Sequence, residues 1–150
     1  VIVYRLTSAR FPRCDGEGAR LYGGRWNSPG RAVVYAAATQ SLAALEILAH
    51  TAALGEDYVV IAIELPAGLA AEEARRGDLP RWDLAGTREK GDQWLEQGRT
   101  VVLRVPSKVV PAEAIYVINP AHPDFPRLRI AQPEPFRFDE RLLERWVGIR

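Results

Sequence analysis

The chain has 150 residues, 20 Lys+Arg against 19 Asp+Glu, 47% hydrophobic and 26% charged. That composition belongs to a folded domain and excludes a disordered chain, and a net charge of +1 supplies no general attraction toward nucleic acid. One cysteine, Cys14, and two histidines exclude an internal disulfide framework and a zinc site of the Cys₄ or Cys₂His₂ kind.

No apolar run reaches the roughly 18 residues of a membrane span. The first residues lack the basic region and apolar run of a secretory signal. The expectation is a cytoplasmic protein with no membrane contact, built as one domain over residues 1–150. Of the 20 basic residues 18 are Arg, leaving only Lys90 and Lys108 as Lys. That bias reflects either genome composition or a need for anion-binding forks.

Val1–Leu6 is β-branched and aromatic-rich and predicts a strand. Residues 7–31 are rich in glycine and lack helical periodicity, so they read as a long loop. Loops beyond about 12–15 residues are usually functional or disordered, and the Tyr22, Trp26 and Arg content favours function. Ala32–Ala37 predicts a short buried strand. Thr39 or Ser41 can cap a helix over Leu42–Leu54, ended by Gly55. Tyr58–Leu65 is the clearest strand, closed by Pro66. Residues 69–76 predict a short helix, Leu79–Gly86 a loop, and Arg88–Gln97 a helix with Trp94 and Leu95 inward. Thr100–Val105, Ile115–Ile118 and Leu128–Ala131 predict further strands, Phe136–Phe138 an edge strand, and Asp139 a cap for a helix over 140–146. Without regular βαβ spacing, the pattern favours an α+β domain over a doubly wound sheet.

Familiar catalytic signatures are absent: there is no P-loop, no dinucleotide fingerprint after a strand, no G-x-S-x-G, and no metal-ligand spacing around either histidine. The informative residues are polar groups in apolar settings. Leu42, Leu45, Leu48, Ala49 and Ala52 form one helical face while Ile47 and Leu54 fall roughly opposite, so the helix reads as buried on most sides. Glu46 in such a helix has no Lys or Arg within four residues, and only His50 one turn later. A buried carboxylate without a local partner needs one from elsewhere, or lines a cleft. Gly23-Gly24-Arg25-Trp26-Asn27-Ser28-Pro29-Gly30 joins backbone that can approach a ligand to an Arg fork for phosphate or carboxylate and an aromatic for stacking. The same stretch is also compatible with a structured turn whose Trp packs in the core. Ser107, at a strand end, can bond a ligand or cap the turn, and turn propensity favours the cap. His122 and Asp124 form a possible acid–base pair, but three prolines over 120–126 favour a rigid surface loop.

Several of these stretches together resemble the RES-domain toxins, a family named for an Arg, a Glu and a Ser. The matching segments are GGRWNSPG with Arg25, VVYAA with Tyr35, SLAALEILAH with Glu46 and LRVPSKVVP with Ser107, supported by GDQWL, INPAHPDF and PFRFDERL. They run from about Tyr4 to Leu142. One departure is Ile115, where the family pattern leads one to expect Asn. The resemblance implies a fold similar to ADP-ribosyltransferases: an α+β domain with a split, mostly antiparallel sheet, flanking helices and a cleft for NAD⁺. It implies the toxin of a toxin–antitoxin pair, whose antitoxin carries an Xre-like helix-turn-helix region. It also implies an enzyme that consumes NAD⁺ as substrate, without metal, passing ADP-ribose to water, phosphate or a protein.

The residue chemistry fits that implication. Breaking the nicotinamide–ribose bond develops positive charge on the ribose. Glu46 suits that charge, Arg25 the pyrophosphate, Tyr35 a stacking face for nicotinamide near the Gly23–Asn27 backbone, and Ser107 a ribose or phosphate contact. The expected catalytic set is therefore Arg25, Tyr35 and Glu46, with Arg25, Trp26, Asn27, Tyr35 and Ser107 binding NAD⁺. Arg5 is a further candidate for the cleft. In better-known ADP-ribosyltransferases the key Glu lies late in the chain, whereas Glu46 lies early, so its role does not transfer by chain order. Two other function classes compete: an Arg-rich RNA-binding module stacking bases on Tyr22 and Trp26, and a hydrolase using Ser107 with His50 or His122.

Overall fold

The computed structural model describes residues 1–50 and 57–143. Among them, eight strands share one sheet: β1 (Ile2–Ser8), β2 (Val34–Ala37), β3 (Tyr58–Glu64), β4 (Ala71–Glu73), β5 (Val102–Pro106), β6 (Ala114–Ile118), β7 (Arg129–Ile130) and β8 (Glu134–Phe136). The order is β4-β5-β6-β2-β1-β3-β7, and β8 also pairs β3, at its Tyr58–Val60 end while β7 pairs its Ile63–Glu64 end. Every pair is antiparallel except β4 with β5. Helices α1 (Glu17–Tyr22), α2 (Gln40–His50) and α3 (Leu84–Gln97) accompany the sheet, and residues 140–143 are helical. This is the expected α+β architecture.

The sheet has two well-registered halves. β1 pairs β3 along all of Ile2–Ser8, and β2 pairs β6 along all of Val34–Ala37. Between the halves, β1 meets β2 through one registered pair, Tyr4 with Ala37. That seam is where the sheet divides.

Period-two alternation sends side chains to opposite faces. Val3, Val34, Ala36, Ile61, Ile63, Val102 and Ile118 pack into one cluster. The alternate residues of the same strands build two others. Leu6, Ala37, Tyr58 and Val60 meet Leu42 and Ala43 of α2. Leu103, Val105 and Val117 meet Trp94 of α3, with Trp26 and Val33. Helices α2 and α3 thus cover different halves of the sheet.

Several expectations need correction. The stretch 69–76 is not a helix: Ala71–Glu73 is strand β4, and a 3₁₀ turn follows at Arg76–Asp78. The buried β5 offers a parallel partner, Glu72 and Glu73 reach Arg99 and Arg104, and this tertiary pairing overrides local helix propensity. The stretch 7–31 is not wholly loop, since it contains α1. Helix α3 starts at Leu84, inside the expected loop, because Asp83 caps it by accepting from Gly86 N at 2.8 Å. The expected edge strand at Phe136–Phe138 lies two residues earlier, at β8, while Phe138 packs its ring edge-on to Tyr58 and Phe136. Helix α2 is capped by Thr39, whose Oγ1 accepts from Leu42 N at 3.1 Å, and only Leu42 and Ala43 on it are fully buried. Leu45 is 43% exposed, so α2 is a surface helix with one packed face rather than a helix buried on most sides. The expected helix ends at Leu54 and 146 lie outside the described residues.

Helix α3 approaches the chain at Trp26 so closely that a Cβ on Gly91 would lie 1.6 Å from the Trp26 carbonyl oxygen. Gly91→Ala is therefore expected to destabilise the fold by about 2–3 kcal/mol through forced backbone movement. Gly18→Ala, where nothing lies within 4 Å, should be neutral or stabilising by up to about 1 kcal/mol through helix propensity. Chemical denaturation of the two variants checks the contrast.

Candidate active site

A cavity of about 490 Å³ opens on the side of the sheet covered by α2 and α3. Its floor is the seam, Tyr4–Leu6 of β1 and Tyr35–Ala37 of β2. One wall is Ala43, Glu46, Ile47 and His50 of α2, and another is the Gly23–Trp26 segment with Leu84 of α3. Pro106 and Lys108 complete the rim.

The Gly23–Ser28 segment is held by its own buried amide and by α3. Asn27 is fully buried, and its Nδ2 donates to the carbonyls of Ala19 at 2.8 Å and Arg31 at 2.9 Å. Its Oδ1 accepts from the Tyr35 hydroxyl at 2.6 Å, and that hydroxyl accepts from Trp26 N at 2.9 Å. Gly24 must be glycine for this arrangement, because a Cβ there would sit 2.6 Å from the Tyr35 hydroxyl oxygen. From α3, Thr87 Oγ1 donates to Arg25 O at 2.5 Å, and Arg88 Nε to Gly24 O at 2.8 Å. The Asp92 carboxylate accepts from Ser28 N at 2.9 Å and from Ser28 Oγ at 2.5 Å. A segment fixed at both carbonyl and amide groups presents Arg25 at the cavity. The Arg25 guanidinium itself makes no hydrogen bond or ion pair with the described residues.

Glu46 is held from two sides. The Ser107 hydroxyl donates to its Oε1 at 2.7 Å, and His50 Nε2 lies 3.1 Å from its Oε2. Ser107 Oγ also accepts from Val109 N at 3.1 Å and Val110 N at 3.0 Å. Both hydroxyl lone pairs are thereby used, and the one proton points at Glu46. A carboxylate has about four acceptor positions, so Glu46 keeps capacity for a ligand. Its side chain is 21% exposed, toward the cavity.

The structure brings Arg25, Tyr35, Glu46 and the edge of Trp26 to one cavity. It does not bring Asn27 or Ser107 to the lining: Asn27 is spent on backbone carbonyls, and Ser107, 1% exposed, on Glu46. Trp26 is 2% exposed and packs edge-on to Trp82, with 5.8 Å between ring centroids. It is thus closed to base stacking, and of the two aromatics the RNA reading needs, only Tyr22 is accessible. No imidazole accepts from Ser107, since His50 bonds the other oxygen of Glu46, and His122 Nδ1 accepts from Asp124 N at 3.0 Å. The Ser–His hydrolase reading lacks its base.

Residues absent from the sequence-expected set also belong here. Tyr4, Leu84 and Lys108 line the cavity, and Thr87, Arg88 and Asp92 hold the Arg25 segment. The sequence offers the helix over Arg88–Gln97 and the GDQWL segment, but nothing in it ties Thr87, Arg88 or Asp92 to the Arg25 segment. Arg5 lines the cavity as well, and its guanidinium donates to Arg13 O and Thr7 Oγ1, both neutral. Burial lowers its pKa, and the nearby Cys14 thiol and Asp15 carboxylate pull it the other way. Burial also raises the Cys14 thiol, which makes it a poor nucleophile near neutral pH. Among the described residues no group of three or more His, Cys, Asp or Glu could hold a metal ion, and no helix is long and apolar enough to cross a membrane.

Comparison with known proteins places this geometry. The family model described as the RES domain matches residues 2–139. The chain belongs to the RES family. It is 38% identical to a protein named Prs ADP-ribosylating toxin from Sphingobium sp. (strain YBL2), over 93% of this chain and 94% of that one. It is 34% identical to a protein named Toxin Res from Photorhabdus laumondii, over 96% and 98% of the two chains. In fold it is similar to a chain of the M. tuberculosis MbcT–MbcA toxin–antitoxin complex, with a TM-score of 0.74 at 21% identity, covering 90% of this RES chain and 83% of that one.

Burial raises the Tyr35 phenol well above its ordinary value of 10.0. Below that pH both folded and unfolded chains keep the proton, and Tyr35 adds no pH dependence. Above it the unfolded chain releases the proton while the fold retains it, so stability falls as pH rises. Tyr35→Phe should cost about 1–3 kcal/mol near neutral pH by leaving Trp26 N and Asn27 Oδ1 unpartnered. The same variant should show a shallower alkaline decline, read from denaturation midpoints between about pH 8 and about pH 11.

Proposed function

We propose that the chain is the toxin of a toxin–antitoxin pair and an enzyme that cleaves the nicotinamide–ribose bond of NAD⁺, residues 1–150 acting as one unit in the cytoplasm. The observation that carries this reading is the pairing, across one cavity, of an Arg25 guanidinium with no hydrogen-bond or ion-pair partner among the described residues and a Glu46 whose carboxylate is fixed by Ser107 and His50. The names of the RES relatives support it, one being described as ADP-ribosylating.

Arg25 meets the diphosphate, where a guanidinium fork can bind two oxygens. Glu46 faces the ribose and stabilises the positive charge that grows on it as the bond to nicotinamide lengthens. Nicotinamide leaves as a neutral molecule, so the site needs no strong general acid. Tyr35 offers its ring as a face for the nicotinamide, its hydroxyl being taken by Asn27 and Trp26 N. Ser107 acts through Glu46 as a positioning residue, in place of the direct ribose or phosphate contact that the sequence suggested. The relative's name favours ADP-ribose transfer to an acceptor over release to water or inorganic phosphate. The partner is an antitoxin with an Xre-like helix-turn-helix region, and the fold neighbour in the M. tuberculosis complex supports the existence of an antitoxin partner.

The test is nicotinamide release from NAD⁺ by the purified chain, freed of antitoxin, with and without inorganic phosphate. Glu46→Gln should lower kcat by about 10²-fold or more. Arg25→Ala should act mainly on KM, raising it on the order of tenfold for the loss of a charge-assisted contact. Phosphate dependence would mark phosphorolysis. No release by the wild type, with cell lysate present as a source of acceptor, would sink the reading. Ser107→Ala should lower kcat on the order of tenfold with KM nearly unchanged, the loss of one hydrogen bond to Glu46. A raised KM at constant kcat would instead put the hydroxyl on the substrate.

A further inference from the structure

A second depression, of about 730 Å³, adjoins the cavity and shares Pro106 and Lys108 with it. Ser107 lies between those two residues on the groove's lining, and its proton points through to Glu46. The two spaces are therefore separated by the end of β5 and joined at its rim.

The groove is basic. Arg75, Arg76, Arg104 and Lys108 line it against two carboxylates, Glu73 and Glu113. Glu73 is shared, its Oε1 lying 3.0 Å from Arg104 and 3.7 Å from Arg75. Arg76 stands 6.0 Å from the centre of the Trp82 ring, and Lys108 forms no ion pair with the described residues. Between the charges the lining is apolar, with Trp82, Pro106, Pro111 and Ala112. Trp82 in turn packs on Trp26 of the cavity wall.

We propose that this groove seats an acidic stretch of an acceptor polypeptide and delivers its nucleophilic side chain past Lys108 to the ribose beside Glu46. The proposal rests on the NAD⁺-cleaving reading above and gives its acceptor a chemical class. The excess of cations calls for an acidic occupant, and the position on the shared rim suits a chain that must reach the reacting carbon. Nucleic acid fits less well. Its interfaces are much more positively charged than this mixed wall, and Glu73 and Glu113 would meet phosphates. In the transfer, the bond between ribose C1′ and the nicotinamide nitrogen breaks, and its electron pair leaves with neutral nicotinamide. The acceptor heteroatom supplies the pair for the new bond to C1′, and its proton passes to solvent.

The experiment uses the intact chain and three fluorescein-labelled probes of equal length: a Glu-Ser repeat peptide, a Lys-Ser repeat peptide and oligouridylate. Binding is read by anisotropy, ADP-ribose transfer to the peptides by mass spectrometry, and nicotinamide release in parallel. The wild type should bind and modify the Glu-Ser peptide and ignore the Lys-Ser one. Arg75→Glu combined with Arg76→Glu should weaken that binding and transfer by about tenfold or more, while nicotinamide release without peptide stays within about twofold, which also shows that the fold is intact. Equal Glu-Ser binding by wild type and variant would overturn the proposal, as would tighter binding of oligouridylate. Nicotinamide release with no Glu-Ser binding would overturn the groove's role alone. Loss of release in the wild type, with peptide binding intact, would instead overturn the catalytic reading.

Discussion

The seam between β1 and β2 sets the rest of the structure. Here β1 is committed to β3 along its whole length and β2 to β6, and only Tyr4 and Ala37 register across the gap. Each half then carries its own helix and its own apolar cluster. The space left between the clusters is the cavity, and the sparsely paired seam is its floor.

The polar groups at that site are organised in two layers. Arg25 and Glu46 reach the cavity, while Asn27 and Ser107 stand behind them and bond to backbone or to the carboxylate. Buried polar groups are tolerated when their hydrogen bonds are made, and among the described residues no buried side-chain nitrogen or oxygen lacks a partner. That satisfaction gives the Glu46 carboxylate a defined direction, as the proposed bond cleavage would require of it.

Much of this was legible in the sequence, for identifiable reasons. Strand β3 is an apolar run up to Glu64, β5 is apolar except for the exposed Arg104, and the Thr39 cap and the Gly23-Gly24 approach are local signals that local physics obeys. Glu46 stands out because its apolar helix offers it no Lys or Arg, only His50 one turn later. What escaped was nonlocal. Strand β4 is extended because β5 is beside it, a fact absent from the sequence around Ala71. The hold of Thr87, Arg88 and Asp92 on a segment some sixty residues earlier has no periodicity to betray it. The burial of α2 was overestimated because helical projection counts apolar residues without knowing how many neighbours cover them; Leu45 faces out. Asn27 and Ser107 stand out in the sequence, but their partners do not: Asn27 bonds the carbonyls of Ala19 and Arg31, and Ser107 caps its turn while donating to Glu46, sixty-one residues earlier.

The bond between α3 and the Arg25 segment has a consequence for recognition. Because Asn27, Asp92 and the packed Gly91 already fix the backbone from Gly24 to Ser28, that stretch loses its conformational freedom when the chain folds. A ligand entering the cavity has little left to order beyond the Arg25 side chain. Its association should depend on diffusion and charge rather than on waiting for a loop to find its shape, and little of its contact energy is diverted into ordering the protein.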